Sequence, residues 1–200
     1  MMDIPHIISI LRNGGIGVFQ CDTILGLIGP MTPEAAARIR AVKQRAETKP
    51  FILLIPSEAH LTQLTSGYPL EFEPLIRRFW PGPLTIVLPK SAAVPDTITG
   101  GLSSVGIRLP NFPVLNDVLI ELDMPLISTS VNVSGDPEIK TLDAVPTDIK
   151  NAVDFCWEPD DPTAIEGVSS TILDGTHSPY RVLREGAIPT DQIEALLRRK

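Results

Sequence analysis

Four separated strings hold the side chains best suited to chemistry. Lys43-Gln44-Arg45, with Lys49 close behind, sets two cations one residue apart. The planar fork of Arg45 and the point charge of Lys43 could grip a polyphosphate. They could also complement the negative end of a helix. Ser128-Thr129-Ser130-Val131-Asn132-Val133-Ser134-Gly135 packs four hydroxyls and one amide into eight residues. Such groups hydrogen-bond a carboxylate or a phosphate without adding charge, or satisfy the backbone of their own turn. Arg108 interrupts the apolar run Val105-Gly106-Ile107-Arg108-Leu109. An arginine among apolar neighbours needs an anion, either a bound carboxylate or an internal Asp or Glu. Ser169-Ser170-Thr171 and Val182-Leu183-Arg184-Glu185-Gly186 place further polar groups at strand edges, where Glu185 could neutralise Arg184 across the turn.

The chemistry these residues exclude is as informative. No GxSxG nucleophile elbow is present; Gly101-Leu102-Ser103-Ser104-Val105 only approaches one. Neither GxxxxGK[ST] nor GxGxxG occurs. His6, His60 and His177 are scattered, no Cys/His cluster has zinc spacing, and no metal site is expected; His60, in a helical stretch, reads as a surface residue. Cations and hydroxyls remain. That combination suits positioning and electrostatic stabilisation of phosphate chemistry without a protein nucleophile.

These strings need elements to carry them. Apolar patterning predicts helices over 4–11, 57–65, 71–79, 114–122 and 141–150, and one beginning near Thr190. Another helix starts at Thr32-Pro33-Glu34, with Thr32 as cap and Pro33 at the first helical position. It carries Ala35, Ile39 and Val42 on one face and ends near Lys43. Strands are predicted over 17–20, 51–55, 84–88, 105–109, 126–129, 171–173 and 180–183. Phe79-Trp80-Pro81-Gly82-Pro83-Leu84-Thr85 reads as a rigid turn into a strand, anchored by Trp80. Helices and strands interleave along the whole length, which predicts an α/β fold with helices packed on a largely buried sheet. Ligands of such folds bind where strand ends turn into loops.

Composition sets the outer bounds. The 200 residues suit one domain spanning 1–200, 43% hydrophobic and 20% charged, with only 5% aromatic residues. The net charge of -7 disfavours a surface made for nucleic acid or anionic membrane, so any phosphate site must be a local basic pocket. Cys21 and Cys156 form no CxxC pair and read as reduced thiols. The N-terminus has no basic region leading into a long apolar run, and no stretch approaches bilayer length; a cytoplasmic location is expected.

Taken in order, the strings resemble the YrdC-type family of L-threonylcarbamoyladenylate synthases, from about residue 4 to about residue 188. The resemblance rests on Asp22-Thr23-Ile24-Leu25-Gly26-Leu27, Lys43-x-Arg45 with Lys49-Pro50, and Phe79-Trp80-Pro81-Gly82-Pro83-Leu84-Thr85. It continues through Val105-Gly106-Ile107-Arg108-x-Pro110, the Ser128 to Gly135 string, Ser170-Thr171 and Leu183-Arg184-Glu185-Gly186-Ala187-Ile188. Lys-x-Arg followed by a later Ser-x-Asn is the family's signature, and both halves are present.

The resemblance implies a twisted open mixed α/β sheet with helices around it and a large, locally positive concave cavity. It implies a nucleotidyltransferase that joins L-threonine, bicarbonate and ATP into threonylcarbamoyl-AMP and pyrophosphate. Its product would pass to a downstream tRNA threonylcarbamoyl transferase complex for N6-threonylcarbamoyladenosine formation. Carried over residue by residue, Lys43, Arg45 and Arg184 would hold the ATP phosphates, with Mg²⁺ assisting. Ser130 and Asn132 would line the nucleotide and carbamate region, and Lys43, Arg45, Ser130 and Asn132 would form the catalytic set. Ser104 would be a further nucleotide contact. Arg108 would bind the threonine carboxylate, with Cys21, Thr23, Ser128 and Ser170 nearby. Cys21 follows Gln20 where the family has Pro-Thr, Leu25 stands where an aromatic residue is usual, and Ala46 replaces a proline. The first two departures fall at the amino-acid end of the implied pocket. The competing expectations are an RNA-binding module, which would need a basic stripe and steep salt dependence, and a paralogue of the same fold without synthase activity. A generic hydrolase ranks below both, because the strings supply no nucleophile and base pair.

Overall fold

A computed structural model describes residues 3–132, 139–159 and 167–198. Val133, Ser134 and Gly135, the tail of the hydroxyl-rich string, lie outside the described residues.

Among the described residues, nine strands form one mixed sheet: β1 (Gly17–Gln20), β2 (Leu25–Pro30), β3 (Ile52–Leu54), β4 (Leu84–Pro89), β5 (Ser104–Arg108), β6 (Leu126–Ser130), β7 (Phe155–Trp157), β8 (Thr171–Asp174) and β9 (Arg181–Arg184). Their spatial order is β7-β1-β2-β6-β3-β5-β4-β8-β9, with β1/β7, β3/β5 and β4/β8 parallel and the other pairs antiparallel. The helices are α1 (Ile4–Arg12), α2 (Pro33–Lys43), α3 (Leu61–Leu64), α4 (Glu73–Phe79), α5 (Asp96–Thr99), α6 (Pro113–Leu122), α7 (Thr147–Ala152) and α8 (Thr190–Leu197).

Two hydrophobic clusters divide the packing. The larger joins one side of the sheet, through residues such as Val18, Leu27, Leu53, Ile86, Ile107 and Leu173, to Ala36 and Ile39 of α2, Leu75 of α4, Ile149 of α7 and Ile193 of α8. The smaller packs Ile7, Ile8 and Leu11 of α1 and Leu115, Val118 and Leu119 of α6 against Phe19, Ile28, Leu54 and Leu126. Strand residues alternate between faces. The α1/α6 cluster therefore covers the β7-β1-β2 part of its face and the Leu126 and Leu54 ends of β6 and β3, and the part running from Ser128 and Ile52 across β5, β4, β8 and β9 is left for a cavity.

Helix α2 shows how sequence directs a functional side chain. Thr32 caps it as expected, its Oγ1 accepting from the Ala35 amide at 3.2 Å, with Pro33 following. Ala36, Ile39 and Lys43 recur at helical spacing on one stripe, so Lys43 shares the buried face. Gln44 then closes the helix in the left-handed region, at φ 49°, and turns the chain toward Arg45 and Lys49.

Three elements escape the sequence patterns: β2, α5 and β7. Gly26, Gly29 and Pro30 dilute the strand signal of β2, while α5 and β7 are only four and three residues long. The expected helix over 57–65 is a 3-10 turn, Glu58–His60, followed by α3. The one over 141–150 divides into a 3-10 turn, Leu142–Ala144, and α7. His60 is a correction: it is 8% exposed, not a surface residue. Its ring Nδ1 lies 3.2 Å from Ser57 Oγ, which gives the buried imidazole a polar partner. Among the described residues, no helix is long and apolar enough to cross a membrane.

Candidate functional site

The uncovered part of the sheet forms a concave cavity of about 500 Å³. Cross-strand register explains its wall. Ser128 pairs with Ile52, Ile52 with Gly106, Gly106 with Val87, and Val87 with Asp174, which pairs with Arg181. Directly paired residues present side chains to one face, so a row crosses the sheet from a hydroxyl through an apolar middle to a carboxylate and a cation. Of the residues expected at the site, Cys21, Thr23, Arg45, Ser104, Arg108, Ser128, Ser130, Ser170 and Arg184 all line this cavity. Lys43 and Asn132 do not. Both are buried beside it, at 1% and 9% exposure.

Lys43 meets the cavity wall from behind. Its Nζ donates to the Ser130 carbonyl and stands 3.3 Å from both Thr129 Oγ1 and Ser130 Oγ. Burial, aided by the charges of Arg45 and Lys49, pushes its ammonium down to about 7. Arg45 projects from the segment after α2. Its Nη2 donates to the Pro50 carbonyl at 2.9 Å, and its guanidinium carbon sits 5.7 Å from the centroid of Phe51.

Arg184 is placed by a bulge. The β8/β9 register shifts between Ile172 and Leu173, leaving Ile172 opposite Arg184 but Leu173 opposite Val182. Such bulges re-aim side chains. The Arg184 fork donates to the Ser170 carbonyl from Nε (3.2 Å) and Nη2 (2.8 Å). Thr171, fully buried, holds the following turn: its Oγ1 accepts from the amides of Gly186 (2.9 Å) and Ile188 (3.0 Å) and donates to the Ile188 carbonyl (2.7 Å). A Cβ on Gly186 would meet the Ser169 carbonyl oxygen at 2.1 Å, so only glycine allows that approach. Glu185 is not spent on Arg184 in the way the sequence suggested. Its carboxylate accepts from the Thr190 amide at 2.8 Å and from the Thr190 hydroxyl.

At the other end, Arg108 has found its internal anion. Nη2 pairs with Asp22, Nη1 donates to Thr23 Oγ1 at 2.9 Å, and Nε donates to the Gly82 carbonyl at 2.9 Å. Gly82 belongs to the turn anchored by Trp80, whose Nε1 donates to the Leu84 carbonyl at 2.6 Å. The turn therefore orients Arg108 as well as starting β4. Cys21 adds a thiol that donates to Asp22 Oδ1 at 3.0 Å. Burial raises its pKa to about 12, so it borders the cavity as a neutral thiol whose one proton is given to Asp22. Both cysteines are free. In the folded protein Cys21 should resist iodoacetamide at mildly alkaline pH and react once the chain is denatured, because only the thiolate is the nucleophile. Peptide mass mapping reads this directly; stoichiometric alkylation of native Cys21 would contradict its burial.

Several wall residues were not singled out from sequence. Thr85 Oγ1 lies 2.8 Å from Ser170 Oγ and was hidden inside a strand read only as apolar. Lys49 was visible beside Lys43-x-Arg45 but had no assigned place. Asp174, Thr176 and Arg181 come from β8, β9 and their connection, where only strand alternation could have flagged Arg181. The described wall carries five cations (Arg45, Lys49, Arg108, Arg181, Arg184) and one carboxylate, Asp174. A chain of net charge -7 thus has a locally positive hollow, as the resemblance implied. Among the described residues no group of three His, Cys, Asp or Glu could hold a metal ion.

The chain is similar to known proteins in sequence and in fold. The chain is 36% identical over 188 residues to threonylcarbamoyl-AMP synthase of Pyrococcus abyssi (strain GE5 / Orsay), covering 94% of this chain and 55% of that protein. It is 32% identical over 191 residues to threonylcarbamoyl-AMP synthase of Bacillus subtilis (strain 168), again 94% of this chain and 55% of the other. The chain therefore spans about half the length of these curated relatives. A crystal structure of P. abyssi Sua5 complexed with L-threonine superposes with a TM-score of 0.89 at 36% identity, over 96% of this chain and 56% of that one. The Sua5/YciO/YrdC family, described as "Telomere recombination", matches residues 9–186, and the chain belongs to that family.

Proposed function

We propose that the chain is an L-threonylcarbamoyladenylate synthase, a nucleotidyltransferase that makes threonylcarbamoyl-AMP and pyrophosphate from L-threonine, bicarbonate and ATP for N6-threonylcarbamoyladenosine modification of tRNA. The observation that carries this reading is the cavity's charge, five cations against one carboxylate among the described residues of a hydroxyl-rich wall. Its volume of about 500 Å³ falls in the range of small-molecule sites, roughly 300–1,000 Å³. The named relatives and the threonine complex of the P. abyssi protein support it from outside.

On this reading Arg45 and Arg184 hold the triphosphate, as planar forks suited to phosphate oxygens. Ser104 and Ser130 line the nucleotide and carbamate region, with the buried Asn132 two residues beyond Ser130, and Lys43 reaches the cavity wall through Thr129 and Ser130. Arg108 has two N–H groups left after its contacts with Asp22, Thr23 and Gly82; these address the threonine carboxylate, with Cys21, Thr23, Ser128 and Ser170 around the amino acid. A carbamate oxygen attacks the α-phosphorus and pyrophosphate leaves. Fixed orientation of the two reactants is the protein's main contribution, worth roughly 7–11 kcal/mol in favourable cases. Asp174 is the single carboxylate on the described wall, so these residues do not fit a resident Mg²⁺. A magnesium ion would arrive on the nucleotide phosphates, its usual mode. The product's onward route is a tRNA threonylcarbamoyl transferase in the cytoplasm.

Incubation with ATP, bicarbonate and a panel of amino acids tests the reading, with pyrophosphate release and adenylate mass as readouts. Release that depends on L-threonine, with the matching adenylate, is expected. No turnover with any amino acid would reject it in favour of a non-synthase paralogue or a binding module.

A further inference from the structure

Lys43 ends the buried stripe of α2 and contributes no surface to the cavity wall, while Ser130 does. Three oxygens surround its Nζ: the Ser130 carbonyl, Ser130 Oγ and Thr129 Oγ1. The chemistry of that trio is specific. A carbonyl only accepts, whereas a hydroxyl donates or accepts. An ammonium can donate to all three oxygens. A neutral amine can donate to the carbonyl and one hydroxyl while accepting from the other. The site therefore holds both protonation states of Lys43 without losing a hydrogen bond, and the hydroxyl of Ser130 reverses direction between them.

The electrostatic surroundings favour the neutral form. Burial comes first, then Arg45 and Lys49, the charged groups that act on the amine. β6 brings only Thr129 and Ser130 against it, and no carboxylate of α5 or α7, which both pack on α2, acts on it. An ammonium would also be the wrong species to receive a proton, and the synthase reaction needs a receiver, because threonine enters with its amine protonated.

We propose that Lys43 accepts the substrate ammonium proton through the Ser130 hydroxyl, a positioning and relay residue behind the cavity wall and not a ligand of the ATP phosphates. The proposal rests on the synthase reading. In the step, one substrate N–H bond breaks and its proton passes to Ser130 Oγ as the Ser130 O–H proton passes to Lys43 Nζ. The products are a free substrate amine and a Lys43 ammonium. When that amine adds to bicarbonate, its second proton leaves with the departing hydroxide as water. The Lys43 proton returns to solvent before the next turnover.

The test is the pH profile of kcat at saturating ATP, threonine and bicarbonate, with ATP affinity measured separately by calorimetry. The wild-type rate should rise with pH through a midpoint near 7, because the active form is the neutral amine and the amine is neutral above about 7. Lys43→Arg keeps the charge but cannot act as acceptor. Ser130→Ala leaves Lys43 in place and removes the relay. Both should lose about 100-fold in kcat and lose the limb near neutrality, and Lys43→Arg, behind the wall, should bind ATP with near wild-type affinity. A Lys43→Arg protein that keeps kcat and only weakens ATP binding would overturn the proposal in favour of a phosphate ligand. So would a limb that persists in both variants. If circular dichroism shows Lys43→Arg misfolded, Ser130→Ala decides alone. Wild-type protein that releases no pyrophosphate with any amino acid sinks the synthase reading and this inference with it; an active wild type with unchanged variant profiles sinks this inference only.

Discussion

Replacing Arg45 with alanine should lower threonine-dependent pyrophosphate release by at least about 100-fold, the usual loss when one preorganised transition-state donor is removed. The residue is committed to the cavity by its place in the chain. Gln44 takes the left-handed conformation that ends α2, and Arg45 is the first side chain after that turn. One end of its guanidinium is fixed by the Pro50 carbonyl and its face lies near Phe51. The ordering entropy of a long side chain is therefore met during folding, which leaves the rest of the fork for the ligand. Burial and the charge of Arg40 lower its pKa, yet a guanidinium is so basic that it remains a cation at neutral pH. Arg45→Lys keeps charge but loses the fork, so its rate should fall between wild type and alanine. The melting temperature of Arg45→Ala should stay close to wild type, because the side chain is half-buried and its hydrogen bond goes to one backbone carbonyl, that of Pro50. Equal activity in Arg45→Ala and wild type would remove Arg45 from the triphosphate end and undercut the cavity-charge argument.

How far could this have been read before folding? Helix α2 and strand β1 were legible to the residue, because capping chemistry and a short apolar run bounded by Gly and Gln leave little choice. Strand β2 was not. Its glycines are there for contacts that sequence cannot display: a Cβ on Gly29 would meet Ile16 Cγ2 at 2.8 Å, and one on Gly26 would sit 3.3 Å from Ser128 Oγ. Sheet order was equally hidden, since β6 lies between β2 and β3 although β3 ends at Leu54 and β6 begins only at Leu126. The site divides along the same line. Residues that break a pattern announced themselves, as Arg108 does within β5 and Arg45 does after α2. Residues that obey a pattern did not: Thr85 is an ordinary β-branched strand residue until β8 brings Ser170 within 2.8 Å. For Arg108 both an internal partner and a bound carboxylate were open. The structure supplies the first in Asp22, and the second remains part of the proposed function.

That pairing makes Asp22 a residue whose loss should cost much stability. Arg108 is 5% exposed and Asp22 12%, so solvent screens the pair little. Asp22 also serves two further donors, the Asn111 amide at 3.1 Å from Oδ2 and the Cys21 thiol at 3.0 Å from Oδ1. Asp22→Ala removes the carboxylate but leaves a buried guanidinium that cannot discard its charge. Breaking such a pair from one side costs about 3–5 kcal/mol, which for a chain of this size lowers Tm by about 10 °C. The penalty comes from the stranded charge more than from the lost attraction. Asp22→Ala combined with Arg108→Met should therefore recover most of the stability, since an apolar side chain carries no charge to desolvate. L-threonine supplies a second diagnostic. If its carboxylate binds Arg108, it replaces the missing anion, and saturating threonine should raise the Tm of Asp22→Ala more than that of wild type. Thermal denaturation followed by circular dichroism reads all five conditions. An Asp22→Ala protein that melts with the wild type would mean that Arg108 is held by Thr23 and Gly82 alone, and a threonine shift equal in both proteins would place the amino acid's carboxylate elsewhere in the cavity.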